Sequence, residues 1–101
     1  MAKTSVVERE KKRAQLSGKY RGIRKKLRDA ASDIHLSDEE RWEAAKQLQA
    51  LPRDSSVVRK RNRCKQCGRP RAYNRLTGLC RMHMRLAMVN GMVPGMHKAS
   101  W

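Results

Sequence analysis

Apolar residues along the first third of the chain recur at helical spacing: Leu16, Tyr20, Ile23, Leu27, Ala30 with Ala31, then Ile34. Steps of four and three place them on one side of a helix. Ser5 followed by Glu8 fits a capping box at its start, so the pattern predicts a helix over about 6–31. A second helix is predicted from Ser37-Asp38-Glu39-Glu40, where a serine cap and three acids suit the positive end of the helix dipole. It should run to about Leu51 and stop at Pro52. Its apolar side, Trp42, Ala45, Leu48 and Leu51, can fold back on Leu27 and Ile34 as a helical hairpin. Residues 52–63 carry no such stripe and read as an extended basic linker. After Cys80 a third, shorter helical stretch contains Met84, Leu86, Ala87 and Met88 and is closed by Asn90-Gly91. Val93-Pro94-Gly95 marks a turn beyond it.

The stripes are thin. In 101 residues there is no Phe, and the aromatic anchors reduce to Tyr20, Trp42, Tyr73 and Trp101. A chain this short buries too little apolar surface to stand without a staple or a partner. Charge narrows the choice, because 25 Lys+Arg against 9 Asp+Glu give a formal net charge of +16. The excess is uneven: residues 1–52 hold 13 basic and 8 acidic side chains, residues 53–101 hold 12 and 1. Uncompensated cations at this density call for a polyanion, and nucleic acid releases counterions when Lys and Arg meet its phosphates. No apolar run reaches the roughly 20 residues of a membrane span. The N-terminus lacks the apolar stretch of a secretory signal, so the protein is expected to stay where it is made.

Chemistry concentrates in Cys64-Lys65-Gln66-Cys67 and, twelve residues on, Cys80-Arg81-Met82-His83. Two intervening residues let one tight turn aim both ligands of a pair at one ion, and Gly68 offers the positive φ such a knuckle uses. Four ligands leave no open position, so the spacing predicts one structural zinc on Cys64, Cys67, Cys80 and His83 and no hydrolytic centre. An odd cysteine count argues against a disulfide framework. No acid–base or nucleophilic constellation exists, since the sole acid after Arg53 is Asp54. Candidate RNA contacts are Lys11, Lys12, Arg13, Arg59, Lys60, Arg61, Arg63, Arg69, Arg71, Arg75, Arg81, Arg85 and Lys98, with Tyr73 interleaved for base stacking. Arg24-Lys25-Lys26 extends the basic arm. Trp42 reads as helix packing, His35 and His97 as solvent- or RNA-facing, and the six methionines as filler for a small core.

The expected fold is small and mainly α. A helical arm and hairpin at 1–52 and the linker at 53–63 lead to a zinc-knuckle RNA-binding module of zinc-ribbon or treble-clef type at 64–101, with little β. Two other readings compete: a zinc-ribbon nucleic-acid-binding regulator, which should bind DNA selectively, and a redox or zinc-buffering protein, which should depend on its thiols.

Leu-Pro-Arg-Asp-Ser-Ser at 51–56, Arg-Asn-Arg-Cys at 61–64, Gly-Arg-Pro at 68–70, Arg75 with Gly78-Leu79, and Pro94-Gly95 with Lys98-Ala99-Ser100-Trp101 closely resemble the bacterial small-subunit ribosomal protein fourteen family. The resemblance covers the whole length and is most specific in the C-terminal half. It implies a non-enzymatic, cytoplasmic constituent of the small-subunit head, bound to the 3′ domain of the ribosomal RNA. It also implies a part in assembly and in shaping the aminoacyl-tRNA site. The implied neighbours are ribosomal proteins three, ten and nineteen, with no membrane, no small-molecule substrate and no homo-oligomer. The family has short forms with four zinc-binding cysteines and longer forms that usually lack them. This sequence joins the long form's length to three of the cysteines, with His83 where the fourth would stand.

Overall fold

The computed structural model describes residues 1–100; Trp101, the last aromatic anchor and the end of the terminal motif, lies outside them. Three helices, α1 (Thr4–Ser32), α2 (Asp38–Ala50) and α3 (Arg81–Val89), and a hairpin of two short strands, β1 (Tyr73–Asn74) and β2 (Leu79–Cys80), make up the regular structure together with two single 3-10 turns. The protein is thus mainly α with little β. The chain divides into two compact units: Glu8–Lys60, and Met1–Val7 together with the chain from Arg61 onward.

Helix α1 begins earlier than its spacing predicts, its first turn falling in the second unit and the rest in the first. Ser5 falls inside the first turn rather than capping it; the Lys3 carbonyl accepts from the Val6 and Val7 amides, and Glu8 pairs with Lys11 at 2.7 Å. The sheltered face of α1 keeps most of the apolar stripe and adds polar positions to it. From Glu8 onward the half-buried or buried positions are Glu10, Arg13, Leu16, Ser17, Tyr20, Arg24, Leu27, Ala30 and Ala31. Ile23 is 50% exposed and Ile34 81% exposed. Arg13 and Arg24 lie on this face because they bond across it. Arg24 donates to the Ser55 hydroxyl at 2.9 Å, and Arg13 donates to Asp54 at 3.3 Å.

The second helix forms as its acids and cap dictate. Ser37 and Glu40 complete a capping box, with Glu40 N–H on the Ser37 hydroxyl at 3.3 Å and Ser37 N–H on the Glu40 carboxylate at 3.2 Å. Arg41 pairs with Asp38 in the first turn. Ala44 is buried, whereas Trp42, expected to pack, is 63% exposed with the Lys46 ammonium 5.6 Å from its ring centre. Ala44, with Ala45 and Leu48 half-buried beside it, rather than Trp42, occupies the sheltered side of α2.

Residues 53–59 are not extended. They form two 3-10 turns, Arg53–Ser55 and Val57–Arg59. Asp54 is the reason: its carboxylate accepts from Arg59 at 2.9 Å as well as from Arg13. Ser55, 1% exposed, donates to the Pro52 carbonyl. The arginines beside Asp54, Arg59 foremost, hold its carboxyl below the ordinary 3.8 against an opposing desolvation, with Arg13 adding to the pull.

Candidate metal centre and nucleic-acid interface

The second unit is built around its cysteines. Among the described residues the buried hydrophobic side chains of the protein are only Ala44, Cys64, Cys80 and Ala87, and Cys80 at 0% and Cys64 at 3% exposure are the deepest. No large aliphatic residue fills this interior.

Backbone geometry converges the four candidate ligands. The Gly68 amide donates to the Cys64 carbonyl at 2.9 Å and the Cys64 amide to the Arg69 carbonyl at 3.0 Å, closing a tight loop around Cys67. Gly68 closes it at φ +73°; a Cβ there would lie 2.9 Å from the Val7 side chain and 3.0 Å from that of Ala2. The Ala2 amide donates to the Cys67 carbonyl at 3.1 Å, so residues 1–7 help shape the knuckle. Opposite, β1 and β2 pair antiparallel with Tyr73 facing Cys80 and Asn74 facing Leu79, and Gly78 N–H closes the turn on the Asn74 carbonyl at 2.8 Å. The Lys65 amide donates to the Gly78 carbonyl at 3.1 Å, tying the loop to the hairpin. Cys80 ends β2 and caps α3, which puts His83 one turn along the helix beside it. Arg81 N–H meets the carbonyl of Ala72, a non-glycine residue held at φ 53°.

The ligand atoms of Cys64, Cys67, Cys80 and His83 all lie within 4.8 Å of one another, close enough to hold one metal ion. The fit can be tested on distances. Zinc at about 2.3 Å from sulfur and about 2.0–2.1 Å from nitrogen, at tetrahedral angles, sets S···S edges of about 3.8 Å and S···N edges of about 3.6 Å. Cys67 and Cys80 sulfurs are 3.8 Å apart, and His83 Nδ1 lies 3.6 Å from the Cys64 sulfur and 3.2 Å from that of Cys80. The residues fit zinc, through Nδ1 of the histidine. The thiols are prepared for it unequally. Hydrogen bonding from the His83 backbone draws Cys80 down to about 7 against the effect of burial. Burial pushes Cys64 up, but amides of Cys67, Cys80 and Gln66 outweigh it and leave Cys64 lowered. The Arg69 amide lowers Cys67, yet burial and the adjoining sulfurs leave it raised.

Around this centre the charge is of one sign. The unit holds ten Lys and Arg and no Asp or Glu. Arg61, Arg71, Arg75, Arg81, Arg85 and Lys98 are exposed; Arg63, Arg69 and Tyr73 are half-buried. Arg63 is partly spent on the fold, donating to the Gly68 carbonyl at 3.0 Å. In the helical unit Lys11, Lys12, Arg59 and Lys60 are exposed, while Arg13 is half-buried against Glu10 and Asp54. Arg24, Arg53 and Arg59 also line a cleft of ≈ 570 Å³ floored by Leu48, Leu51 and Val58. The Asp54 clasp escaped the sequence reading, although a single acid within a basic half was its available signal.

Fold and site define a class: small, basic, mainly helical proteins in which a Cys3His knuckle substitutes for a hydrophobic core. The family model for ribosomal protein S14p/S29e matches residues 47–100. The small ribosomal subunit protein uS14 of Aliivibrio fischeri (strain MJ11) is 52% identical over 101 residues, covering all of both chains. The chain belongs to the S14p/S29e family of ribosomal proteins, which is not a class of enzymes. Among the described residues no helix is long and apolar enough to cross a membrane.

Proposed function

We propose that this ribosomal protein is a structural constituent of the small subunit that binds ribosomal RNA of the 3′ domain in the subunit head. The observation that carries this reading is the metal-ligand cluster inside a unit with ten cations and no acid. Cys64, Cys67, Cys80 and His83 hold one structural zinc, which supplies the folding energy that the apolar residues do not. Three thiolates and a neutral imidazole around the dication leave the centre formally −1, so the cations about it retain a large surplus for phosphates.

Arg61, Arg71, Arg75, Arg81, Arg85 and Lys98 make the main phosphate surface, with Arg63 and Arg69 at its inner edge and the half-buried ring of Tyr73 available to stack. Lys11, Lys12, Arg59 and Lys60 extend the contact along the helical unit, and Arg13 supports it by holding Asp54. The protein works by neutralising and clamping folded RNA, supporting assembly and the shape of the aminoacyl-tRNA site, beside ribosomal proteins three, ten and nineteen in cytoplasmic ribosomes. The experiment is incorporation of a tagged Arg71→Glu, Arg75→Glu, Arg81→Glu variant into small subunits. Failure to enter the particle, with the metal retained, is the expected result; incorporation at the wild-type level contradicts the reading.

A further inference from the structure

Beyond α3 the chain turns back, and residues 93–97 wall a cleft of ≈ 500 Å³ together with Leu76 and Thr77. Met96 lines both this cleft and a hollow of ≈ 400 Å³ floored by Met84 and Met88 and flanked by Arg85 and Lys98. Neither is used by the metal centre. The first cleft is largely apolar and carries one π-face, the ring of His97. The adjoining hollow supplies two cations, in a unit that has no acid to pair with them.

An apolar cleft with a π-face and a neighbouring pair of cations matches a ligand that is flat and tethered to an anion. We propose that the two hollows together take one unpaired ribonucleotide, its base against His97 and Met96 and its phosphate between Arg85 and Lys98. Bases of duplex RNA stay stacked in the helix and cannot enter, so the site selects a loop, bulge or end. An acidic peptide would use the two cations and leave the apolar cleft unmatched. The proposal rests on the RNA-binding reading and names one contact within it.

The test compares the full-length, zinc-loaded protein on two fluorescent hexamers of equal charge, hexaadenylate and its abasic ribose-phosphate counterpart, by anisotropy at fixed salt. Stacking on a protein ring predicts about five- to hundred-fold tighter binding of the base-bearing hexamer. His97→Ala and Met96→Ala should each move that ratio toward one, whereas Arg85→Ala and Lys98→Ala should weaken both hexamers alike and flatten the salt dependence. Equal affinity of the wild type for both hexamers, or a ratio unmoved by His97→Ala and Met96→Ala, overturns the cleft while leaving RNA binding standing. No binding to either hexamer or to small-subunit RNA overturns the RNA-binding reading with it. A hexamer with one photoreactive 4-thiouridine reads the unaltered protein independently. Crosslinks within 93–97 support the site, and crosslinks confined to residues 59–75 overturn it.

Discussion

Glycine-to-alanine substitution should have opposite signs at two places in this chain. Gly68 sits at φ +73° in the knuckle, where an L side chain costs about 1–2 kcal/mol in backbone energy alone. The added Cβ would also approach Val7 Cγ2 to 2.9 Å and Ala2 Cβ to 3.0 Å. Those two residues belong to the segment that donates from Ala2 to the Cys67 carbonyl, a bond worth about 0.5–1.5 kcal/mol net. Gly68→Ala should therefore destabilise the unit that holds the Cys3His cluster by about 2–3 kcal/mol, and at about 4–8 °C per kcal/mol the melting shift is large. Gly18 and Gly22 lie within α1 with nothing inside 4 Å of an added Cβ. There alanine removes the helix cost of glycine and should stabilise by about 1 kcal/mol each. The assay is site-resolved hydrogen exchange on the zinc-loaded chain, alongside thermal melts by circular dichroism. Loss of protection at the Cys64 and Gly68 amides in Gly68→Ala, with slower exchange along α1 in the other two, is expected. Unchanged protection at Cys64 in Gly68→Ala would refute the reasoning.

Ala72→Gly should do the reverse of Gly68→Ala, relieving a left-handed alanine of about 1 kcal/mol while its carbonyl keeps Arg81 N–H; a lower melting point would contradict this. The Asp54 clasp should respond to acid. Because the folded carboxyl is held below 3.8, its contribution is present above that value and is lost as pH falls through the lowered one. Protection of Ser55 N–H, which donates to the Pro52 carbonyl, measured against the intrinsic exchange rate at each pH, should thus hold at neutral pH and fall only in acid, whereas Asp54→Asn shows the lower protection throughout. Trp42→Ala should change stability by no more than about 0.5 kcal/mol, since the ring is exposed. Ala44→Leu, on the buried side of the same helix, should cost about 1–3 kcal/mol by overpacking, and thermal melts of the pair discriminate them.

Much of this architecture is legible in the sequence where a local rule governs it. Ser37 and Glu40 announce α2 because a capping box needs only four residues, and the two ligand pairs announce the metal cluster because the spacing in each is set by one turn. The sheltered face of α1 is less legible. Apolar periodicity finds Leu16, Tyr20, Leu27, Ala30 and Ala31 but also points to Ile23 and Ile34, whereas the protein turns Arg13 and Arg24 inward, since Asp54 and Ser55, some thirty to forty residues away, supply their partners. Trp42 misleads for a related reason: size favours burial, yet the sheltered side of α2 is taken by Ala44, Ala45 and Leu48. Residues 53–59 look extended because no stripe marks them, while Asp54 folds them through bonds that periodicity does not report. Ala72 carries no signal at all, because a left-handed alanine is imposed by closing the hairpin and α3 around Cys80.

The central claim is that a metal, not an apolar core, holds together the unit that meets RNA. Native mass spectrometry of the protein released gently from purified small subunits tests it most directly. The account predicts the mass of one zinc on the wild-type chain, absent in His83→Ala and Cys80→Ala. Metal-free wild-type protein recovered from the same subunits would contradict it.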